Sequence, residues 1–237
     1  LYVYTGAVGS QEPVQKILLA ALIQLTDKQG LVIDDPVTSR EIDFDLGSRE
    51  GKTECTRCVQ DILLSLPDGR IDSFCRQVTD TLGFEYDRII ASRQFGFMSY
   101  DDIAEANRRG LDIQLHTHTH DLDRERPEDL DREIPVNREA LAPHVNSSLE
   151  HFCYPSGVCS PGMFPYLEKL GVKSAVLTEP GFVTQRSHIY SLKRILDGEL
   201  ISQLEFEAEM SGFLELVREV KQYLKKLLRY DSPARVA

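Results

Sequence analysis

Tryptophan is absent, and methionine occurs only three times in 237 residues. No run of about 18 apolar residues exists, so the sequence predicts no membrane span. Positive charge is also short: 27 Lys and Arg stand against 38 Asp and Glu, for a net charge of −11. A nucleic-acid surface needs clustered Lys and Arg, so no nucleic-acid partner is expected. No initiator Met and no secretory leader opens the chain. Leu1 stands inside a strand-like run, Leu1-Tyr2-Val3-Tyr4-Thr5, and the expectation is of a start upstream of it. The five cysteines are an odd number without framework spacing, which predicts reduced thiols and a cytoplasmic location. Cys55 and Cys58 form one lone CxxC in a predicted helix, read more simply as packing residues than as a zinc or redox pair.

What the chain does have is the stretch Leu111-Asp112-Ile113-Gln114-Leu115-His116-Thr117-His118-Thr119-His120. Its first half alternates apolar and polar residues, the period of a half-buried strand. Histidine then occupies every second position. A strand end or tight loop here can aim His116 and His120 at one cation, and a catalytic site needs about three protein ligands plus water. The plainer alternative is a solvated loop.

Around it, 1–5 reads as a buried strand and Val14, Ile17, Leu18, Ala21, Leu22 and Leu25 have helix spacing. Leu31-Val32-Ile33 and Ile42-Asp43-Phe44-Asp45-Leu46 read as a hairpin, and 51–66 and 68–82 as amphipathic helices. From Ser99 onward strands and helices alternate: a helix over 100–109, strands over 111–115, 149–154 and 173–178, and a further strand over 189–192. Such alternation predicts parallel βα units, with the site at the C-terminal strand ends. Phe213, Leu216, Val217, Val220, Tyr223, Leu224 and Leu227 form one stripe on a terminal helix. That stripe is expected to pack on the domain or to join copies in a homo-oligomer.

Met98-Ser99-Tyr100-Asp101-Asp102-Ile103, Arg109-Gly110-Leu111-Asp112-Ile113 and His116-Thr117-His118-Thr119-His120 together resemble the metal-site region of the polysaccharide deacetylase (NodB-homology) family. Phe152-Cys153-Tyr154-Pro155-Ser156-Gly157 resembles its next motif, and Tyr190 to Ile195 a late Tyr-x-Leu-x-Arg-Ile element. The resemblance implies an α/β fold: a distorted, incomplete (β/α) barrel lacking its first strand. It implies a deacetylase-like domain over 1–198, with a mostly helical insertion over about 28–98, and a helical extension over 199–237. It further implies a divalent-metal-dependent amide hydrolase, zinc being the expected ion, acting on amino-sugar units of a carbohydrate. His116 and His120 would ligate the metal, with Thr117 bracing the loop through its hydroxyl. Ser156 would offer its backbone N–H to the oxyanion. Tyr154, Pro155 and Gly157 would line the substrate, while His188 is the candidate general acid and Arg194 a candidate for orienting a carboxylate.

The family's Thr-Phe-Asp-Asp-Gly motif, which supplies base and third ligand, has no counterpart in its expected place, upstream of Leu1. Asp34-Asp35 is only superficially like it and reads as a hairpin turn. The competing reading is therefore an inactive deacetylase-like domain that binds a glycan or a partner.

Overall fold

The computed structural model describes residues 1–10, 12–198 and 201–230. By their contacts the residues divide into two units, Leu1–Gly6 with Asp101–Ala237 as unit 1, and Ala7–Tyr100 as unit 2.

The chain begins with β1 (Tyr2–Val3) and then enters unit 2. There α1 (Gln15–Leu25) precedes the hairpin β2 (Gly30–Asp35) and β3 (Arg40–Asp45), followed by α2 (Arg49–Ser65), α3 (Asp68–Thr81) and α4 (Tyr86–Ser92). Ser48 caps α2 by accepting the Gly51 N–H at 3.0 Å. Leu18, Leu19, Leu22 and Ile23 of α1 meet Val59, Ile62, Phe74 and Val78 in one apolar core. Cys55 and Cys75 lie within it, and burial pushes both thiols up to about 12. Thiols so raised stay protonated and act as small apolar groups. Asp35 closes the hairpin turn, accepting the Thr38 hydroxyl at 2.5 Å and the Val37 N–H at 2.8 Å. The hydroxyl of Thr38 holds its carboxyl below the usual carboxylate range.

Unit 1 resumes with α5 (Tyr100–Arg108), β4 (Gln114–Leu115), α6 (Leu130–Leu141), β5 (His151–Cys153), α7 (Phe164–Lys169), β6 (Ser174–Pro180), β7 (Leu192–Arg194), α8 (Gln203–Met210) and α9 (Phe213–Tyr230). Its five strands form one parallel sheet in the order β1-β4-β5-β6-β7, open among the described residues. Leu115 pairs with Val3 on one side and Phe152 on the other, and Phe152 with Ala175. Ile113, Leu115, Phe152, Tyr154 and Ala175 are buried, as strands covered on both faces must be. Leu130, Ile134 and Leu141 of α6 supply a buried helical stripe.

The last strand falls later than the sequence predicts. Ile189 to Ser191 form a turn instead, because the Ser191 N–H closes on the His188 carbonyl and the Tyr190 N–H on His188 Nδ1. Among the described residues no helix is long and apolar enough to cross a membrane.

Candidate metal centre

β4 ends at Leu115, and the next five residues form a loop that turns twice through the left-handed region. Thr117 has φ +66° and His120 φ +63°. Neither is glycine, so the conformation must be held by specific bonds. Thr117 is fully buried, and its Oγ1 accepts the His120 N–H at 3.0 Å. The loop carbonyls are taken up by the segment after β1: the Thr5 N–H reaches Thr117 O at 3.3 Å and the Gly6 N–H reaches His118 O at 2.7 Å. A Cβ on Gly6 would sit 2.6 Å from that same His118 carbonyl oxygen. Gly6→Ala is therefore expected to destabilise unit 1 by about 2 kcal/mol, since the obstacle is backbone that cannot swing aside. A urea titration of the variant checks this.

Two residues of α6 grip the loop from below. The Glu133 carboxylate is 1% exposed. Its Oε2 accepts the His118 N–H at 3.0 Å, the Thr119 N–H at 2.8 Å and the Thr119 hydroxyl at 3.0 Å. Arg132 donates to the other oxygen at 2.9 Å. Burial alone would raise this carboxyl, but the bonds from Thr119, Arg132 and His118 outweigh it and leave it lowered. Asn137, four residues on and so on the same helix face, accepts the His116 N–H at 3.1 Å. Its amide donates to Val3 O at 2.9 Å and Thr5 Oγ1 at 3.1 Å.

These contacts give the three histidines different chemistry. His116 Nδ1–H donates to the Cys153 carbonyl at 2.6 Å, which leaves the Nε2 lone pair free for a cation. Burial holds His116 below the usual histidine range, against the pull of that hydrogen bond; His120 and Arg194 add to the lowering. The His120 ring lies edge-on to it, centroids 4.9 Å apart, and 5.0 Å from the Tyr4 ring. His118 is turned to Thr5 instead, with Nδ1 2.9 Å from Oγ1. Thr5 Oγ1 also accepts from the Asn137 amide at 3.1 Å, so the hydroxyl links His118 to α6.

Arg194, at the end of β7, lies against the Cys153 thiol, which burial raises and the guanidinium partly lowers again. Its Nε is buried without a hydrogen-bond partner. Such an atom is a place for an acceptor that the described residues do not supply. At the end of β5, Pro155–Gly157 forms a 3₁₀ turn with Ser156 at φ +53°. The Gly157 and Val158 N–H groups close that turn, on Tyr154 O and Pro155 O. Ser156 itself is exposed, while Pro155 is buried. A Cβ on Gly157 would meet Thr178 Oγ1 at 2.2 Å. Tyr154 is fully buried and donates its hydroxyl to Tyr190 O at 2.9 Å. His188 stacks on Phe164 at 4.3 Å and is exposed.

The structure thus brings His116, His120, Thr117 and Arg194 together, and ties His188 to Phe164 and Tyr190. Two imidazoles fit a divalent ion by donor chemistry, but the set stops at two. Among the described residues no group of three His, Cys, Asp or Glu side chains converges on one point. Sequence reasoning missed Glu133 and Asn137. Their signal was present: with Leu130, Ile134 and Leu141 they complete one helix face, and a polar residue on a buried stripe needs a partner.

Residues 89–175 match the family described as polysaccharide deacetylase. No curated protein matches the chain. Among solved structures, the Streptococcus pyogenes deacetylase PplD in complex with acetate is similar at 22% identity over 52% of this chain and 54% of its own, with a TM-score of 0.44. BC0361, a polysaccharide deacetylase from Bacillus cereus, is similar at 22% identity over 48% of this chain and 37% of its own, TM-score 0.43. The BpsB deacetylase domain from Bordetella bronchiseptica is similar at 14% identity over 43% of this chain and 49% of its own, TM-score 0.38. The chain spans about half the length of PplD and of the BpsB domain.

Proposed function

We propose, from the polysaccharide deacetylase family in which residues 89–175 are placed, that unit 1 carries a divalent-metal-dependent hydrolase. Its substrate is an N-acetylated amino-sugar unit of a polysaccharide, oligosaccharide or glycan precursor. The observation that carries this reading is the prepared pair, His116 and His120, with the His116 Nδ1–H committed to Cys153 O and Nε2 left as donor.

His116 and His120 would hold the ion, zinc by imidazole preference, together with a carboxylate. When bound, it supplies Lewis acidity at the amide carbonyl and an acidified water. The chain's own residues do the rest. Thr117, Glu133 and Asn137 fix the loop, so the imidazoles lose little freedom on binding. The buried Arg194 Nε offers a carboxylate a charge-assisted bond that would hold it in one orientation. The Ser156 N–H is the candidate oxyanion donor, at a turn whose next two N–H groups are spent. His188, on its Phe164 stack, is the candidate proton donor to the leaving amine.

The test is zinc titration by calorimetry together with acetate release from N-acetylglucosamine oligomers. His116→Ala is expected to weaken zinc binding by about 100-fold or more and to abolish release. Zinc-dependent release that survives in that variant overturns the assignment. The absence of a third converging ligand among the described residues favours a second reading, a glycan-binding domain without hydrolysis. It predicts oligomer binding by the unmodified chain with no acetate formed at any zinc concentration.

A further inference from the structure

The two imidazoles of the histidine loop are held in different ways. His116 is fixed at both ends: Asn137 accepts its backbone N–H at 3.1 Å, and its Nδ1–H donates to the Cys153 carbonyl at 2.6 Å. His120 is fixed through its backbone, whose N–H donates to Thr117 Oγ1 at 3.0 Å. It is also the more exposed of the two. A ligating imidazole is ordinarily oriented by a hydrogen bond at its second nitrogen. Among the described residues none reaches the His120 ring. What meets it there is two other rings. Tyr4 lies with its centroid 5.0 Å away at 56°, and His116 4.9 Å away at 73°. Both are favourable tilted or edge-on geometries, within the range of about 4.5–7 Å for paired rings.

The placing of Tyr4 follows from strand register. Val3 pairs with Leu115, and the Thr5 N–H reaches Thr117 O at 3.3 Å, so Tyr4 comes to lie beside His116. Side chains alternate along a strand, so Tyr4 and His116 share the sheet face opposite Thr5 and Thr117. α6 grips that opposite face through Asn137, whose amide donates to Thr5 Oγ1 at 3.1 Å. On the near face His120 turns back, through its backbone φ of +63°, onto the two strand-end rings. The Tyr4 backbone cannot drift. Val3 O accepts the Asn137 amide at 2.9 Å on one side of it, and the Gly6 N–H donates to His118 O at 2.7 Å on the other. A half-buried ring on a locked backbone is a rigid surface for the imidazole to rest on.

We propose that Tyr4 is a positioning residue of the metal centre: its ring holds the His120 imidazole in the orientation in which it and His116 meet one divalent cation. Tyr4 does for His120, by ring packing, what the Cys153 carbonyl does for His116 by a hydrogen bond. It acts through His120 and is not a ligand, and the role belongs to the ring rather than to the hydroxyl. The inference rests on the metal-binding reading of His116 and His120.

Zinc titration by calorimetry of the 237-residue chain, Tyr4→Phe and Tyr4→Leu tests this. Phenylalanine keeps the ring, so its zinc affinity should stay within about twofold of the unmodified chain. Leucine keeps apolar bulk without the flat face, and its affinity should fall about tenfold, as on loss of other groups that orient a ligand. Cobalt(II) in place of zinc gives a visible absorption that reports ligand geometry. Tyr4→Phe should reproduce the unmodified spectrum, and Tyr4→Leu should shift it. A role confined to packing would lower the urea midpoint of Tyr4→Leu and leave its zinc affinity unchanged, and that result overturns the proposal. A loss of zinc affinity in Tyr4→Phe of about tenfold also overturns it, because the hydroxyl would then carry the role, and this arm does not depend on how well the leucine variant folds. His116→Ala in the same titration separates the two readings. If it binds zinc as the unmodified chain does, the metal reading fails and the role of Tyr4 fails with it. If it loses zinc while Tyr4→Leu does not, the role of Tyr4 alone fails.

Discussion

Glu133→Ala is expected to cost unit 1 about 3–5 kcal/mol and to lower its melting temperature by roughly 10 °C. The carboxylate is buried and accepts three bonds on one oxygen, two of them from backbone N–H groups of the histidine loop. Removing it takes from the His118 and Thr119 N–H groups a charged acceptor held inside the unit, and each such bond is worth about 1.5–3 kcal/mol. The Arg132 contact adds little, because that side chain is 72% exposed. The loop should loosen with the loss, so the zinc binding proposed for His116 and His120 should weaken although neither imidazole is touched. Glu133→Gln should cost less, about 1–2 kcal/mol, since its amide oxygen can still face the three donors without the charge. The carboxylate also sets an acid limb. Its folded pKa is lowered, so its stabilisation is fully present above the unfolded-state value and is lost as pH falls through the lower folded value. The stability difference between the unmodified chain and Glu133→Gln should therefore shrink in that window. A difference that stays constant from neutral pH to the acid transition would show that Glu133 is not the ionised acceptor described here.

The histidine loop was legible because two signals met in ten residues. A period-two apolar run ended, and imidazoles followed at once. The parallel βα frame was legible from alternation alone. What holds the loop was not, because Cys153 acts through its carbonyl and any residue at that position would offer the same atom. The start of the last strand was misjudged for a related reason. Ile189-Tyr190-Ser191-Leu192 has strand composition, yet the side chain of His188 folds back on the Tyr190 N–H and delays the strand to Leu192. The spacing on α9 located a stripe but not the side it faces. That side is fixed by ion pairs to Lys193 and Glu209, whose nearness only the folded chain establishes.

Asn137→Leu is expected to destabilise unit 1 by about 3 kcal/mol, and Asn137→Asp should do so in a manner that depends on pH. Asn137 is fully buried and spans three segments: it accepts from His116 N–H and donates to Val3 O and Thr5 Oγ1. This orientation of the amide is fixed by its partners, a donor on one side and a carbonyl on the other. Leucine has similar volume but leaves the His116 N–H and the Val3 carbonyl unpaired, each at about 1–3 kcal/mol, offset in part by apolar burial. Aspartate keeps the bond to His116 N–H but sets a carboxylate oxygen against the Val3 carbonyl, where only a protonated carboxyl can donate. Burial and that carbonyl both favour the neutral form, so the folded pKa of the new carboxyl should lie above its unfolded value. Its penalty is then small below the unfolded pKa and grows as pH rises through the folded one, the opposite sign to Glu133. Urea midpoints of Asn137→Asp and the unmodified chain at pH 4.5 and 7.5 measure this directly. A larger penalty at the lower pH would mean that the amide does not donate to Val3, and with it the account of how β1 and the histidine loop are joined would fail.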